Sequence, residues 1–376
     1  MTLAAGIVAA ALTASGLACA SSATQGISSE QPGDVVRAAK LPQSGPIVAL
    51  SSADVWAATG EGVLHWDGKQ WAFAELPKLD GAAIESFAAV SPDSIWAVGA
   101  FTDTIGGDAP LILHWDGKRW SHSYGTPQDR GILYSVAVAG KDVWAVGGTD
   151  SDFSSPAIIL HLTAGHWHVV PSQAKTSLTG LAMTGNSTGW AAGPAEGQAK
   201  GVLLHWDGKA WVSASAALPA GHYLTALSAG SGSQVWGVGN ISPSFASFSM
   251  FWTGKAWRTA PVQWPKQSPD QDLAEVTAIP GGSAWALGYF GVPMPGDQTA
   301  IFHWSGKTWT VAWQLTEPAG YLSGIGVVSS TDAWSIGYIC TAIDNDNGCA
   351  RNQYLVLHWN GRTWNESWLP ANFQPA

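Results

Sequence analysis

Charge is scarce in this chain. Of its 376 residues 12% are charged, and 17 lysines and arginines stand against 27 aspartates and glutamates, so the formal net charge is −10. The basic residues form no run or stripe, which excludes binding to nucleic acid or to an anionic membrane through a basic face. The apolar share of 46% can bury a large core, and low charge with abundant small polar residues is typical of a secreted β protein.

Cysteine is equally scarce. Cys340 and Cys349 fall in one segment, Cys19 lies near the N-terminus, and no histidine is close in sequence to the first two. A catalytic thiol is therefore the weaker interpretation, and in an oxidising compartment we predict a Cys340–Cys349 disulfide that closes a short loop. Since no Ser/His/Asp constellation stands out either, the sequence favours a binding protein over an enzyme.

Tryptophan, by contrast, is present in 23 copies, and 20 of them follow a repeat. The first half of the repeat, similar to DVWAVGG, recurs at 54–60, 94–100, 142–148, 188–194, 234–240, 283–289 and 332–338. The second half, similar to LHWDGKxW, recurs at 63–71, 112–120, 160–167, 203–211, 250–257, 301–309 and 356–364. The closing tryptophans recur every 44 to 55 residues, which is the period of propeller blades.

Each repeat predicts four short strands. An inner strand rich in small and β-branched residues leads through a tight turn into the Trp-Ala-Val-Gly strand, and a loop of variable length precedes the His-Trp strand. Asp-Gly or a similar pair then supplies the two-residue hairpin before the closing tryptophan. One such sheet has two apolar faces and must stack against neighbours. We therefore predict an all-β fold, a seven-bladed β-propeller with four antiparallel strands per blade.

The repeated tryptophans and histidines are interpreted as structural. Flat rings between stacked sheets are a packing solution. The histidines occupy one equivalent position on six different blades, so they cannot converge on a metal ion; they are His65, His114, His161, His205, His303 and His358.

The order of these strands carries a family resemblance. The Gly-ended strand, an aromatic in the third strand and a tryptophan in the fourth resemble kelch repeats and the propeller domain of galactose oxidase relatives. The segment from 224 to 240 resembles tectonin-type lectin repeats, and residues 55–68 resemble the propellers of bacterial sensor proteins. The resemblance implies a propeller without implying its ligand. It does not extend to a copper radical site, because Cys340 and Cys349 share one loop.

The N-terminus predicts an extracytoplasmic protein. Residues 3–18 are apolar, alanine-rich and too short to span a membrane comfortably, as in a signal peptide. We expect a signal peptide over 1–20, with Cys19 as an alternative lipid-carrying N-terminus. A linker over 21–42 and the propeller over 43–376 follow. Residues 34–42 resemble a fourth strand that could close the ring, in competition with the last blade's own segment 363–370.

Two features of the last repeat concern cofactors. The sequence DNDNG at 344–348 places oxygen ligands at alternate positions, so Asp344 and Asp346 are candidates for calcium. The glycine comes one residue early for an EF-hand and no glutamate closes the loop, which favours an Asn-Gly turn. We therefore expect no cofactor, with calcium as the alternative.

The variable loops connect second to third strands and one blade to the next, and the meander places them all at one end of the propeller, here termed the long-loop face. Variation concentrated there predicts the ligand site. The candidate ligand-binding rings are Trp264, Phe245, Phe248, Phe290, Phe153 and Tyr321, and the candidate acids are Asp103, Asp150, Asp152, Asp270 and Asp297.

Carboxylates with exposed rings suit a polyhydroxyl ligand or a cationic protein segment. The first hypothesis is therefore an extracytoplasmic, non-enzymatic module that binds a glycan or a protein on the long-loop face, without nucleic acid. The alternatives are a polysaccharide-directed hydrolase or lyase, with loop residues such as His222 and Tyr223 in catalytic roles, and a cell-surface assembly scaffold.

Overall fold

A computed structural model describes residues 44–126, 128–150, 153–194, 200–230, 232–265, 270–291, 298–315, 320–343 and 349–369. These residues form seven antiparallel sheets of four strands each, in consecutive order along the chain, which confirms the predicted fold class. Within these ranges the only helix is a three-residue 3-10 turn at Ser215–Ala217. None of the described helical structure is long and apolar enough to cross a membrane.

The strands are numbered in chain order, four to a blade. Blades 1 and 2 comprise β1 (Ser44–Ser51), β2 (Asp54–Thr59), β3 (Gly62–Trp66), β4 (Trp71–Phe73), β5 (Ala83–Ser91), β6 (Ser94–Thr102), β7 (Asp108–Trp115) and β8 (Trp120–Tyr124). Blades 3 and 4 comprise β9 (Ile132–Ala139), β10 (Asp142–Gly148), β11 (Ala157–Thr163), β12 (His166–Val169), β13 (Gly180–Gly185), β14 (Thr188–Gly193), β15 (Val202–Trp206) and β16 (Trp211–Ser213). Blade 5 comprises β17 (His222–Ala229), β18 (Val235–Ile241), β19 (Ala246–Trp252) and β20 (Trp257–Thr259). Blades 6 and 7 comprise β21 (Asp270–Ile279), β22 (Ser283–Gly291), β23 (Gln298–Trp304), β24 (Trp309–Gln314), β25 (Gly320–Ser329), β26 (Asp332–Ile343), β27 (Cys349–Trp359) and β28 (Trp364–Trp368).

The second strand of each blade explains the apolar repeat. Strand β10, for example, is buried at every position after its first residue, because both faces of the sheet pack against neighbouring blades. The hairpin that follows each third strand is built as the sequence predicts. In blade 1, Gly68 has a φ of 88°, and Asp67 Oδ1 accepts the backbone N–H groups of Lys69 and Gln70 at 2.8 Å.

An aromatic belt joins the blades. The second-strand tryptophan of each blade contacts the closing tryptophan of the next blade, as in the 5.7 Å separation of the Trp144 and Trp211 ring centroids. The same contact joins Trp334 of blade 7 to Trp71 of blade 1 at 6.2 Å, so the belt runs through the ring closure. Edge-on geometry recurs at these contacts and is the favourable one for aromatic pairs. The structural interpretation of the repeated tryptophans is confirmed.

The repeated histidines belong to the same belt. His161 stacks on Trp144 with ring centroids 3.7 Å apart, and His114 stacks on Trp96 at 4.0 Å. The second ring contact of each histidine is the first residue of the second strand: an aspartate in blades 1, 3 and 7, and a serine or threonine in blades 2, 4 and 6. They are structural, as predicted, and do not converge.

Blade 7 takes its fourth strand from its own repeat, because β28 pairs with β27. The innermost strands β1 and β25 are in contact, so packing between blades closes the ring. The alternative closing segment, 34–42, lies outside the described residues, as do the predicted signal peptide and Cys19.

Strands reach further into the predicted loops than the sequence pattern indicated. Strand β22 runs to Gly291 and β26 runs to Ile343, so Phe290 and Cys340 lie within strands. In the β26–β27 hairpin, Cys340 pairs with Asn352 and Ile343 with Cys349. The Cys349 side chain is outside the described part, and the disulfide stays a prediction.

Candidate functional site

The innermost strands enclose a cavity of about 140 Å³ on the propeller axis. All seven blades contribute to its wall. The lining residues are Gly45, Pro46, Glu85, Ser86, Tyr134, Ser135, Thr179, Gly180, Thr225, Ala226, Leu227, Ala274, Glu275, Val276 and Ser323. Most of them lie in the first half of an innermost strand, and these strands begin at the long-loop face. The cavity is therefore nearer to that face than to the short-turn face.

A repeated β-bulge produces this wall. In six blades the pairing of the innermost strand with the second strand shifts at the same place. In blade 2 the shift leaves Glu85 as the extra residue, between the pairs Ile84–Gly99 and Ser86–Val98. A bulge bends its strand and re-aims a side chain, which here directs lining residues toward the axis.

The glycine of the Trp-Ala-Val-Gly strand makes the bulge sterically feasible. A Cβ at Gly147 would lie 1.8 Å from the carbonyl oxygen of Ile132, and one at Gly99 would lie 1.9 Å from that of Ala83. Only a residue without Cβ permits this approach of the two backbones. The motif that identifies the repeat thus also shapes the site.

Two carboxyl groups lie in the cavity wall. Glu275 is partly buried, and its Oε2 atom is fully buried without a hydrogen-bond partner. Burial raises the pKa of Glu275 to about 8, against a smaller opposing effect of a hydrogen bond from the Ile325 backbone. Burial, with the nearby negative charge of Asp108, raises the pKa of Glu85 to about 7. Near neutral pH both groups can therefore take up or release a proton.

The hydroxyl groups of the wall are engaged between blades. Thr179 donates to the Thr225 carbonyl at 2.8 Å, and Ser86 Oγ accepts the Val136 N–H at 3.3 Å. These hydroxyl groups thus join neighbouring blades at the cavity wall, whereas Oε2 of Glu275 has no hydrogen-bond partner.

A tyrosine stack lies beside Glu275 toward the long-loop face. The rings of Tyr289 and Tyr321 are parallel with centroids 4.2 Å apart, and the Tyr289 hydroxyl donates to the Leu322 carbonyl. Burial raises the pKa of Tyr321 to about 12, and Asp272 and Glu275 act on it in the same direction. These phenols stay neutral and serve as donors or packing surfaces.

An acidic corner lies across the ring at blades 2 and 3. Burial raises the pKa of Asp108, and the charges of Asp150 and Asp103 add to the rise. Asp103 itself is only 8% exposed. Its Oδ1 accepts the backbone N–H groups of Gly107 at 2.7 Å and Ile105 at 2.8 Å, and these bonds lower its pKa. Asp103 therefore stabilises its own loop.

The predicted exposed rings need correction. Phe245 is exposed at 47%, as expected, but Phe248 and Phe290 are buried at 9% and 2%. Strand alternation turns both into the cores between blades. Trp264 is partly buried, with its ring 5.0 Å from that of Phe302. Exposure thus holds for Phe245 alone among these four.

The remaining candidates divide into two groups. Phe153 and Tyr321 are partly buried, and Phe153 lies against Tyr134 at 5.1 Å, next to the cavity wall. Asp150 is exposed. Asp152, Asp297, Asp344 and Asp346 lie outside the described residues, as does the Asp270 side chain, so the calcium alternative stays untested there. Among the residues described, no three His, Cys, Asp or Glu side chains are placed to hold a metal ion.

Glu85 and Glu275 were missed by reasoning that looked to the loops. The available signal was a glutamate inside an otherwise small and apolar innermost strand, in AIESFAAV at 83–90 and DLAEVTAI at 272–279. A charged residue at a position that crowds a propeller axis is costly to bury, so its presence there indicates a candidate site.

Fold and cavity together define a seven-bladed β-propeller with an acidic axial pocket. No family model matches the chain, and no curated protein matches it. Among solved structures, the chain is similar to YCF48 bound to D1 peptide, with 18% identity, a TM-score of 0.51, and coverage of 78% of this chain and 84% of that one. It is also similar to the propeller domain of the Trilobed protease from Pyrococcus furiosus, with 9% identity, a TM-score of 0.50, and coverage of 89% and 100%. At such identities these likenesses show the fold alone.

Proposed function

We propose that this chain is a non-enzymatic binding module that recognises a protein segment or a glycan on the long-loop face and takes one group of it into the axial cavity. The observation that carries this proposal is the convergence of all seven innermost strands on one polar cavity. Concave sites with a few convergent polar groups are where proteins bind ligands. The bulges that shape the cavity wall recur in six blades, so the cavity is a regular feature of the repeat.

The size of the cavity favours binding of a single group. Its volume of about 140 Å³ is close to that of a cavity of roughly 150 Å³ that holds one benzene molecule. One side chain or one small substituent of a sugar fits, whereas a polymer chain does not. The rest of the ligand would contact the surrounding loops, where Phe245 and Asp150 are exposed.

The test is a binding screen of the purified protein against polysaccharides and extracellular peptides. Ser135→Phe places a ring in the cavity wall and should abolish binding of any ligand found. Ser52→Phe makes the same change at an exposed position on the short-turn face and should leave binding unchanged. Equal binding by both variants, each with wild-type thermal stability, would contradict a role for the cavity.

A polysaccharide-directed hydrolase or lyase that acts on a chain end is a second candidate, because two carboxyl groups in one cavity have pKa values of about 7 and about 8. Such values suit general acid and base catalysis near neutral pH. Release of reducing or unsaturated ends from a polysaccharide panel would favour it, provided that Glu85→Gln and Glu275→Gln abolish turnover. If no polysaccharide of the panel is cleaved, the binding module remains the proposed function.

The finer assignments stay proposals. The repeat spelling supports a kelch-like or tectonin-like relation. The N-terminal sequence supports an extracytoplasmic location, as a secreted protein or with Cys19 lipidated. Mass spectrometry of the mature N-terminus distinguishes these two, because a lipidated Cys19 would be the first residue and would carry the added mass.

A further inference from the structure

One hydrogen-bond acceptor of a residue in the cavity wall lacks a donor. Glu275 Oε2 is fully buried and accepts no hydrogen bond, and a buried acceptor without a partner is costly. The neighbouring hydroxyls do not supply the missing bond, because Thr277 donates to the Ile325 carbonyl at 3.0 Å and Thr225 donates to the Val238 carbonyl at 3.3 Å. Glu275 as a whole is partly exposed and lines the cavity, so a ligand in the cavity can contact this carboxyl group.

The wall also lacks positive charge. Among the described residues that line the cavity there is no lysine, arginine or histidine, whereas two are glutamates. The charged group that acts on Glu85 is Asp108, of the same sign. Tyr289 and Tyr321 are the titratable groups coupled to Glu275, and Asp272 acts on the same two phenols. None of these groups is a cation, so they supply no countercharge when the two carboxyl groups are ionised.

The two carboxyls lie across the axis from each other, because Glu85 belongs to blade 2 and Glu275 to blade 6 of the seven. Calcium requires six to eight oxygens at about 2.3–2.6 Å from one point, which two carboxyls on opposite walls do not provide. An organic cation with several N–H donors can instead extend from one wall toward the other, as ammonium and guanidinium groups do.

We propose that the axial cavity binds an ammonium or guanidinium group of the ligand, held by the Glu275 carboxylate with Glu85 on the opposite wall. This inference rests on the proposed function and specifies the chemistry that the cavity recognises. It favours a ligand that presents a lysine, an arginine, a free N-terminus or an amino sugar.

Proton release accompanies this binding. In the free protein, burial raises the pKa of Glu275 to about 8, so the group carries a proton near pH 7. A bound cation stabilises the ionised form and lowers that pKa. Affinity should therefore rise as pH increases toward about 8, by up to about tenfold per pH unit, and should level off above it.

The experiment is calorimetric titration of the full protein with butylguanidinium and butylammonium chloride, with 1-butanol as the uncharged control. We expect binding of at least one cation, no heat with 1-butanol, and an enthalpy that depends on the ionisation enthalpy of the buffer at pH 7. Glu275→Gln should weaken binding at least tenfold and Glu85→Gln by less, whereas Glu366→Gln, the same change on the exposed outer strand, should have no effect.

The inference would be overturned if 1-butanol bound equally well or if both cavity variants kept wild-type affinity. It would also be overturned if calcium alone displaced butylguanidinium. The proposed function is tested separately. If a panel ligand binds, is blocked by Ser135→Phe and is unaffected by Glu275→Gln, the binding module stands and cation recognition falls. If butylguanidinium binds but Ser135→Phe leaves the panel ligand bound, the placement of the main site in the cavity falls instead.

Discussion

All seven blades contribute to both the aromatic belt and the axial cavity, yet the two regions differ in what repeats from blade to blade. The belt repeats residue identity, with tryptophan on the second and closing strands of every blade. The cavity repeats only position: Glu85, Tyr134, Thr225 and Ser323 occupy equivalent bulges. Identical side chains spaced around a ring pack pairwise between neighbours. Different side chains that converge on an axis form one asymmetric surface, which a ligand can recognise.

The comparison also separates stability from binding. Belt rings are buried against other rings, so each contributes apolar burial and aromatic contacts. The cavity leaves a buried carboxyl oxygen without a donor, which opposes folding. Natural sites often retain such costs because function requires them. Substitutions in the belt should therefore cause the larger losses of folding stability, and removal of the buried carboxyl group from the cavity should increase stability.

The largest effect should come from breaking the belt. Trp144 is 1% exposed and contacts His161, Trp206 and Trp211. Trp144→Ala should lower the free energy of unfolding by about 3–5 kcal/mol, since it opens a cavity between two blades. Chemical denaturation measures the loss. Val169→Ala, at a position 69% exposed, should change it by less than about 0.5 kcal/mol.

The next effect tests the link between the repeat and the cavity. Gly147→Ala places a Cβ 1.8 Å from the Ile132 carbonyl oxygen, so the bulge of β9 must move, at a cost of about 1–3 kcal/mol. In Gly185→Ala the nearest atom is Thr188 Cγ2 at 3.8 Å, and stability should hold or rise slightly. Equal losses in the two variants would show that the close approach is not what requires glycine.

Removing the buried carboxyl group of Glu275 should change how folding stability depends on pH. The folded pKa of Glu275, about 8, lies above its ordinary value of 4.5, so the folded state holds a proton that the unfolded state releases. Stability is then lost as pH rises between these two values, by about 1 kcal/mol for each pH unit crossed, and less where solvent screens the group. Glu275→Gln should flatten that dependence in denaturation curves at pH 5 and 8.5, whereas Glu366→Gln should retain it.

The smallest effect distinguishes blades within the belt. Burial lowers the pKa of His114, which bonds to Ser94 at 3.0 Å, below 6.5. The unfolded chain is protonated first, so the stability present above pH 6.5 is lost as the pH falls. Ser94→Asp copies the Asp–His pair of blades 1, 3 and 7 and should raise the His114 pKa, as measured by NMR titration. Ser94→Asn, of similar size without charge, should leave the pKa near that of the wild type.

Much of the fold could be predicted because its signals are local. The Asp-Gly pair at 67–68 specifies a hairpin within four residues, and Gly68 adopts the positive φ that the turn requires. Loop extents were predicted less well. Phe290 precedes Gly-Val-Pro, and glycine and proline there suggest a loop, yet pairing with Gln298 extends the strand through Phe290. Such pairing is decided across strands and is not visible along one of them.

By itself the sequence determined the number of blades, the strand order within each and the structural role of the repeated tryptophans and histidines, because each depends on a pattern repeated within about 50 residues of chain. Only the tertiary structure decided that Glu85, at the bulge of its strand, and Glu275, next to the bulge of its strand, line one cavity. These residues are separated by about half of the chain, and their raised pKa values arise from burial in a space that exists only when the ring has closed.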